Sequence, residues 1–386
     1  MSATTAEPRL GANLLWLVPG VVGGSEDYTV RLLDSYARHD DRARDMTLFV
    51  NRAFPRAHPG LMDAYRTVVA PVAGPTKVVR VGAEATWLSR RARLEGVALM
   101  HHMGGNMLRS RPPGMVTIHD LQPFAHPEHF SRRKGGYLGL TVPSALRRAV
   151  LVVTLTEHTR ADVVERMGVP HERILLVPPG VDQVQAPPSP AEVERVRATY
   201  ALGPRPYFVY PAITYPHKNH LTLARAFAQV AASYPEPLLV LTGGGAQAED
   251  SLRAEIGALG VGPRVRRLGR IPRRDLDVLI SDAVALAFPS SYEGFGIPVL
   301  EAMSRHCPVI ASTATALPEV VGRAGVLVEP YDVEGWATAM SGLLADPDQR
   351  RRLGELGYQR AGEFSWDRSV RALAAAYEAA LEAIAP

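Results

Sequence analysis

The chain's 386 residues exceed what one hydrophobic core usually organises, so two domains are expected, and a content of 46% apolar and 21% charged residues is that of an ordinary globular protein. One cysteine, Cys307, excludes an internal disulfide and any metal site built from several cysteines; it fits a reducing compartment and reads as a small apolar residue between a helix and a strand. The net charge of +4 is modest, no run of 18 apolar residues offers a membrane span, and aromatic residues are too sparse in the basic clusters to stack nucleic-acid bases.

The apolar start "LLWLVPGVVGG" contains Pro19 and leads into polar chain without a small-residue cleavage pattern. It therefore reads as a first buried strand and a glycine turn, not a signal peptide. Strand-like runs follow in order at 13–19, 46–50, 66–72, 97–102, 115–120, 150–155 and 174–180, with amphipathic helical segments between them, such as 25–39 and 157–168. Near-continuous apolar strands alternating with helices argue for a parallel sheet covered on both faces. His101 and His102 are neighbours in one strand and point to opposite faces, so they do not make a metal site, and none is expected. The stretch 131–149 gathers Arg132, Arg133, Lys134, Arg147 and Arg148, and 263–274 gathers a second set, Arg264 to Arg274. Each is either a solvated face or a surface for anionic lipid or an acidic substrate.

Residues 177–190, "VPPGVDQVQAPPSP", hold five prolines in fourteen positions, too many for a helix interior or central strand, so they mark a linker. The alternation then restarts with strands at 207–212, 237–243, 264–269, 284–290, 308–312 and 325–330. The expected architecture is α/β, with two doubly wound, Rossmann-like domains facing a central cleft. Residues 1–184 form the first domain, 185–200 the linker and 201–365 the second domain; a helix at 366–386 packs back on the first. In such sheets ligands bind at the carboxyl ends of the strands.

The segment "FPSSYEGFGIPVLEAM" reads strand, loop, helix. Pro298 suits the first helical position, and Ile297 before it cannot cap the helix, so the first amides lack a local acceptor. Gly294 and Gly296 permit close backbone approach, and an uncapped helix start of this kind suits a phosphate. Glu301 falls one turn into an apolar helix, where a carboxylate needs hydrogen-bond donors or a positive partner. A ribose diol would supply two donors, and Glu293 would reach hydroxyls beyond the phosphates. The alternative is that Glu301 pairs with an internal arginine and Glu293 is solvated.

This segment resembles the E-x7-E signature of retaining glycosyltransferases of the GT-B fold, family 4. The resemblance covers nearly the whole chain: "PGVVGGSEDYT", "TIHDLQPFAHPEHF", "VPPGVD", "HKNH" and "LTGGG" precede it in order. It implies that Glu301 binds the nucleotide ribose, that Glu293 lies by the donor sugar, and that the amides of Phe295 and Gly296 meet sugar hydroxyls. It also implies donor contacts from Gly294 and Ile297, and it puts the Gly23–Gly24 turn, otherwise an ordinary tight turn, beside the donor phosphates. His119 would face the reacting sugar carbon, with Asp120 orienting it; otherwise it is a satisfied structural histidine. Lys218, one of three lysines against 40 arginines, would neutralise a leaving diphosphate beside His217. Many similar enzymes carry an arginine five or six residues before this lysine, where Ala212 and Ile213 stand here; His217 or an arginine from elsewhere is expected to compensate. Gly243 and Gly244 open "GGGAQA", which fits G-x-G-x-x-A but lacks a following ribose-binding acid; it reads as a phosphate- or base-side loop. "RDLDV" offers Asp275-x-Asp277, read as a capped, solvent-facing helical turn rather than a metal pair.

The resemblance thus implies a cytoplasmic enzyme, peripheral at the inner membrane face, that moves one sugar with retention, metal and cofactor aside. The donor would be a nucleotide-diphosphate sugar, GDP-mannose first, and the acceptor a hydroxyl of a glycan, a glycolipid or a small molecule, as in polysaccharide biosynthesis. Rival readings are a nucleotide-sugar epimerase, a glycoside hydrolase using the paired carboxylates, and a non-catalytic nucleotide-binding module.

Overall fold

The computed structural model describes residues 9–21, 23–38, 46–73, 77–108 and 111–385. Val22 of the first glycine turn and His39, at the end of the first expected helix, lie outside them. The described chain divides into two compact units, one running to Gly180 and resuming at Ser365, the other spanning Val181–Phe364.

The first unit holds a seven-stranded sheet of β1 (Arg9–Leu14), β2 (Met46–Val50), β3 (Arg66–Val69), β4 (Val97–His102), β5 (Gly114–Ile118), β6 (Val152–Thr154) and β7 (Ile174–Leu176), in the order β3-β2-β1-β4-β5-β6-β7. Every pairing is parallel. β1 starts and stops upstream of the expected 13–19. The chain turns at Leu15 because Asn13 Oδ1 accepts the Leu15 amide at 3.1 Å, while Asn51 Nδ2 donates to the carbonyls of Leu15 and Leu17 at 3.2 and 2.7 Å. An asparagine that bonds its own backbone two residues on favours a turn over further strand.

The helix Gly24–Arg38 follows the first turn and buries Tyr28, Leu32, Leu33 and Tyr36. The helix Glu157–Met167 is capped by Thr156, whose side chain accepts the Thr159 amide, and ends at Gly168 with φ +67°, where glycine carries no side-chain clash. The terminal helix Trp366–Ala383, capped by Ser365, belongs to this unit. Its buried face carries Trp366, Val370, Leu373 and Tyr377; the Tyr377 hydroxyl meets His101 Nδ1 at 2.8 Å, and Ser369 Oγ donates to the Pro178 carbonyl at 2.6 Å.

The second unit holds β8 (Tyr207–Pro211), β9 (Leu238–Thr242), β10 (Val265–Gly269), β11 (Ala285–Phe288), β12 (Val309–Ser312) and β13 (Val326–Val328), again all parallel, in the order β10-β9-β8-β11-β12-β13. Both units are therefore doubly wound. Strand order reverses between β1 and β4 in one and between β8 and β11 in the other, and such reversal points open a crevice at the strands' carboxyl ends. Cys307 is fully packed just before β12, and burial pushes its thiol up to about 12. Among the described residues no helix is long and apolar enough to cross a membrane.

Candidate active site

In the second unit, the loops leaving β8 and β11 are joined at the reversal point. The Ser291 amide donates to the His217 carbonyl at 2.7 Å, and the Tyr210 hydroxyl donates to the Lys218 carbonyl at 2.7 Å and meets Ser290 Oγ at 3.0 Å. Asn219, at φ +53°, anchors the turn from the other side by donating to the carbonyls of Pro289 and Pro330 at 3.1 and 2.6 Å. These bonds fix where Lys218 points. Its Nζ lies 2.6 Å from Glu293 Oε1, with both side chains largely shielded. Glu293 is thus paired, not solvated. Its peptide is clamped by Thr315, whose hydroxyl accepts the Glu293 amide and donates to the Glu293 carbonyl, both at 2.9 Å.

The following helix spans Ile297–Met303, so its cap position is Gly296 rather than Ile297, and Pro298 falls inside the first turn. Gly296, at φ +97°, makes the entry. No side chain among the described residues caps this helix start. A Cβ at Gly296 would lie 2.6 Å from Leu317 Cδ2, so the position admits only glycine without repacking. Phe295 turns its ring onto Phe364, at 5.7 Å and 83°. Glu301 is buried, and its Oε1 accepts from Arg273 Nη2 at 2.5 Å. Arg273 is the positive partner that a carboxylate in an apolar helix requires.

Beside β8, the glycine loop after β9 lines a cavity of about 270 Å³ with Ala212, Thr214, Gly243, Gly244, Gly245 and Arg267. Gly243 adopts φ +118°, and a Cβ there would sit 2.4 Å from the Ala212 carbonyl oxygen. Arg267 pairs with Glu249, which also accepts from Thr214 Oγ1 at 3.0 Å. The Arg270 side chain runs past Gly244, 3.5 Å from where a Cβ would be.

His119 and the Gly23–Gly24 turn lie in the first unit. His119 directly follows β5; its Nε2 donates to the Met103 carbonyl at 2.8 Å, and burial lowers its pKa to about 4. Met103, not Asp120, orients the imidazole; Asp120 Oδ1 instead accepts the Gln122 amide at 2.9 Å, because a carboxylate two residues before an open turn satisfies it locally. Gly23 has φ +69°, and Gly24 is the first residue of the helix Gly24–Arg38. Glu26 in that first turn accepts the Gly20 amide at 2.7 Å and contacts His58 at 3.1 Å. The basic residues Arg132, Arg133, Lys134, Arg147 and Arg148 are exposed along the helix Arg132–Arg148, beside an exposed Leu140.

Two further sequence features resolve. Asp275 is buried, not solvent-facing: it accepts from Arg195 at 2.7 Å and Tyr200 at 2.9 Å, partners distant in sequence, while Asp277 pairs with Arg273 and Arg305. His101 and His102 are both buried and separately engaged, by Tyr377 with Thr117 and by Asn13. Among the described residues, His126, Glu128 and His129 form a group of three side chains with metal-ligating atoms close together. Sequence reasoning offered an internal arginine for Glu301 as the alternative without naming Arg273, and it missed Thr315 and the Asn219 anchor, of which only the αL-tolerant asparagine in "HKNH" gave a signal.

Two parallel doubly wound units, each with its polar loops at a reversal point, define the architecture of GT-B glycosyltransferases. Comparison with known proteins agrees. Residues 22–185 match the model for Glycosyltransferase Family 4, and 194–360 that for Glycosyl transferases group 1. The chain is 32% identical to the O-antigen chain mannosyltransferase B of Escherichia coli over 66% of its own length and 67% of that protein. It is 33% identical to the GDP-mannose-dependent alpha-(1-6)-phosphatidylinositol monomannoside mannosyltransferase of Mycolicibacterium smegmatis, over 55% of the chain and 59% of that protein. The chain thus spans about two thirds or less of the length of these relatives. Its fold is that of Anabaena HepE in complex with UDP and glucose, at TM-score 0.76 and 20% identity, covering 96% of this chain and 99% of that one. The chain belongs to glycosyltransferase family 4.

Proposed function

We propose that the protein transfers one sugar from a nucleotide-diphosphate sugar to a hydroxyl of a glycan, glycolipid or small-molecule acceptor, with retention of configuration and without a metal. The observation that carries this reading is the Lys218–Glu293 pair, held at 2.6 Å at the reversal point beside the glycines of the E-x7-E segment. GDP-mannose is the first candidate donor, since the E. coli and mycobacterial relatives are mannosyltransferases and the second is named for GDP-mannose.

In this reading the diphosphate lies along Gly294, Phe295, Gly296 and Ile297, with Lys218 and His217 facing it. Fixed charge at that point stabilises the leaving group as the bond breaks. Glu301 takes the ribose hydroxyls, and the base or a phosphate enters the cavity along Gly243 and Gly244. Ala212 and Ile213 supply no cation, and Arg270, running beside Gly244, is the arginine placed to act in their stead. Gly23, Gly24 and His119 are expected to contact the donor.

The bond between the anomeric carbon and the phosphate oxygen breaks, the acceptor oxygen bonds on the same face, and its proton passes to the departing phosphate oxygen. Glu293, paired to Lys218, is a positioning carboxylate for the sugar rather than a covalent nucleophile. The exposed arginines of the helix Arg132–Arg148, with Leu140 beside them, suit an acceptor presented at an anionic membrane surface.

Incubation with GDP-, UDP- and dTDP-sugars and a panel of hydroxyl acceptors, with and without EDTA, tests the reading. Proton NMR should find an α-linked product from an α-linked donor, unchanged by EDTA. A donor converted without any acceptor would instead favour an epimerase, and a glycosyl adduct trapped on Glu293 would refute same-face attack.

A further inference from the structure

Between β5 and the helix Arg132–Arg148, the sequence His126-Pro127-Glu128-His129 makes a tight turn. His126 follows the short helix Gln122–Ala125, its amide donating to the Gln122 carbonyl at 2.8 Å. Pro127, with its fixed φ, opens a single 3-10 turn over Pro127–His129. The His129 amide donates to the His126 carbonyl and the Phe130 amide to the Pro127 carbonyl, both at 3.1 Å. These two bonds hold the backbone of the turn.

Residues three apart in a 3-10 turn eclipse one another, so the two imidazoles come together. Their centroids lie 5.2 Å apart with planes at 15°. Glu128 reaches both rings with one oxygen: Oε1 is 3.1 Å from His126 Nδ1 and 3.9 Å from His129 Nε2. Ligating atoms of all three residues fall within 4.8 Å of one another. Ligands held on a tetrahedral zinc ion at 2.0–2.1 Å stand roughly 3.3 Å apart. Turning the side chains about their own bonds closes that difference and leaves the two backbone bonds in place. The half-buried histidines and the exposed glutamate have room to turn.

The donor set restricts the ion. Imidazole nitrogen suits zinc, nickel and copper, whereas magnesium and calcium take sets of oxygens. Three protein ligands leave a fourth position for water.

We infer that His126, Glu128 and His129 form a binding site for a divalent transition-metal ion of the zinc class. The site does not rest on the proposed transfer reaction, which uses other residues. A bound ion would tie His126 to His129, two residues before the Ser131 that caps the basic helix, and so would pin the turn from which that helix starts.

The test is calorimetric titration of the untagged full chain, stripped with EDTA and dialysed, with zinc chloride at neutral pH. Wild type should bind one zinc per chain at this site. Glu128→Gln, an isosteric change at an exposed position, and His129→Gln should each weaken binding at least about tenfold, with unchanged circular dichroism. The chain has 12 histidines, so a control is needed; His306→Gln, at an exposed His–Glu contact in the second unit, should leave the affinity unchanged. Cobalt(II) on the wild-type protein should show the visible bands of a nitrogen-ligated ion, displaced by zinc and not by magnesium, a readout that needs no variant. No zinc binding by wild type, affinity unchanged in both Glu128→Gln and His129→Gln, or displacement of cobalt by magnesium would overturn the site.

Discussion

Lys218 Nζ stands 2.6 Å from Glu293 Oε1, across two loops that leave different strands of one sheet. Each charge is the other's main partner on a rim built largely of glycine and backbone. Lys218→Ala should therefore act twice. It strips the cation from the nucleotide, weakening GDP binding about 10- to 100-fold by calorimetry. It also strands a shielded carboxylate, lowering stability on the order of 2 kcal/mol. Adding Glu293→Gln should recover much of the stability and none of the GDP affinity. Recovery of both would mean that the pair is only structural.

Glu301 accepts from Arg273 through Oε1. Arg273 is partly exposed and retains Asp277 at 2.9 Å. Glu301→Ala should abolish the GDP thermal shift while denaturant unfolding moves by about 1 kcal/mol. A folded Glu301→Ala protein with an undiminished shift removes Glu301 from the nucleotide site.

Two glycines separate site from scaffold. Gly296→Ala drives a methyl against Leu317 at an entry with φ +97°, and should eliminate GDP binding with a modest loss of stability. Gly180→Ala drives one to 2.2 Å from the Trp366 backbone nitrogen, where nothing flexible can give way. It should destabilise the first unit by several kcal/mol, roughly the scale of a severe core lesion, and leave the GDP affinity of the folded fraction intact. Circular dichroism melts and GDP titrations of both variants check the contrast.

Acidification should destabilise the first unit. Burial lowers His101 and His102 to about 3 and His119 to about 4, from an ordinary 6.5. The unfolded chain therefore binds more protons between about 6.5 and 4, and stability falls as pH drops through that window. Glu84, raised to about 7 by burial, works the other way, losing stability as pH rises from 4.5 through 7. Three histidines outweigh one carboxyl, so melting temperature should decline from pH 7 to pH 5, by an amount that reflects up to about 2 kcal/mol per histidine. His101→Gln should flatten the slope, and an unchanged slope would show that His101 is not buried in neutral form.

Much of the fold was legible because apolar runs of strand length alternate with amphipathic helices throughout. The runs 207–212 and 284–290 contain β8 and β11 outright. β1 was misplaced because Asn13 ends it through a side-chain bond that periodicity does not register. Spacing put Glu293, Phe295, Gly296 and Glu301 on one loop and helix start, since all lie within nine residues of chain. Spacing could not supply Arg273 for Glu301, Arg195 for Asp275 or Thr315 for Glu293, because those pairings depend on how strands order in the sheet. Nor could it distinguish Met103 from Asp120 as the partner of His119; the nearer residue in sequence was spoken for by Gln122.

The central claim is that a nucleoside diphosphate docks where the loops of β8 and β11 meet. A crystal structure of the GDP complex tests it most directly. The diphosphate should lie within hydrogen-bonding reach of Lys218 Nζ and the amides of Gly294 to Gly296, with the ribose hydroxyls on Glu301. A diphosphate bound elsewhere, with the Lys218–Glu293 pair untouched, would contradict it.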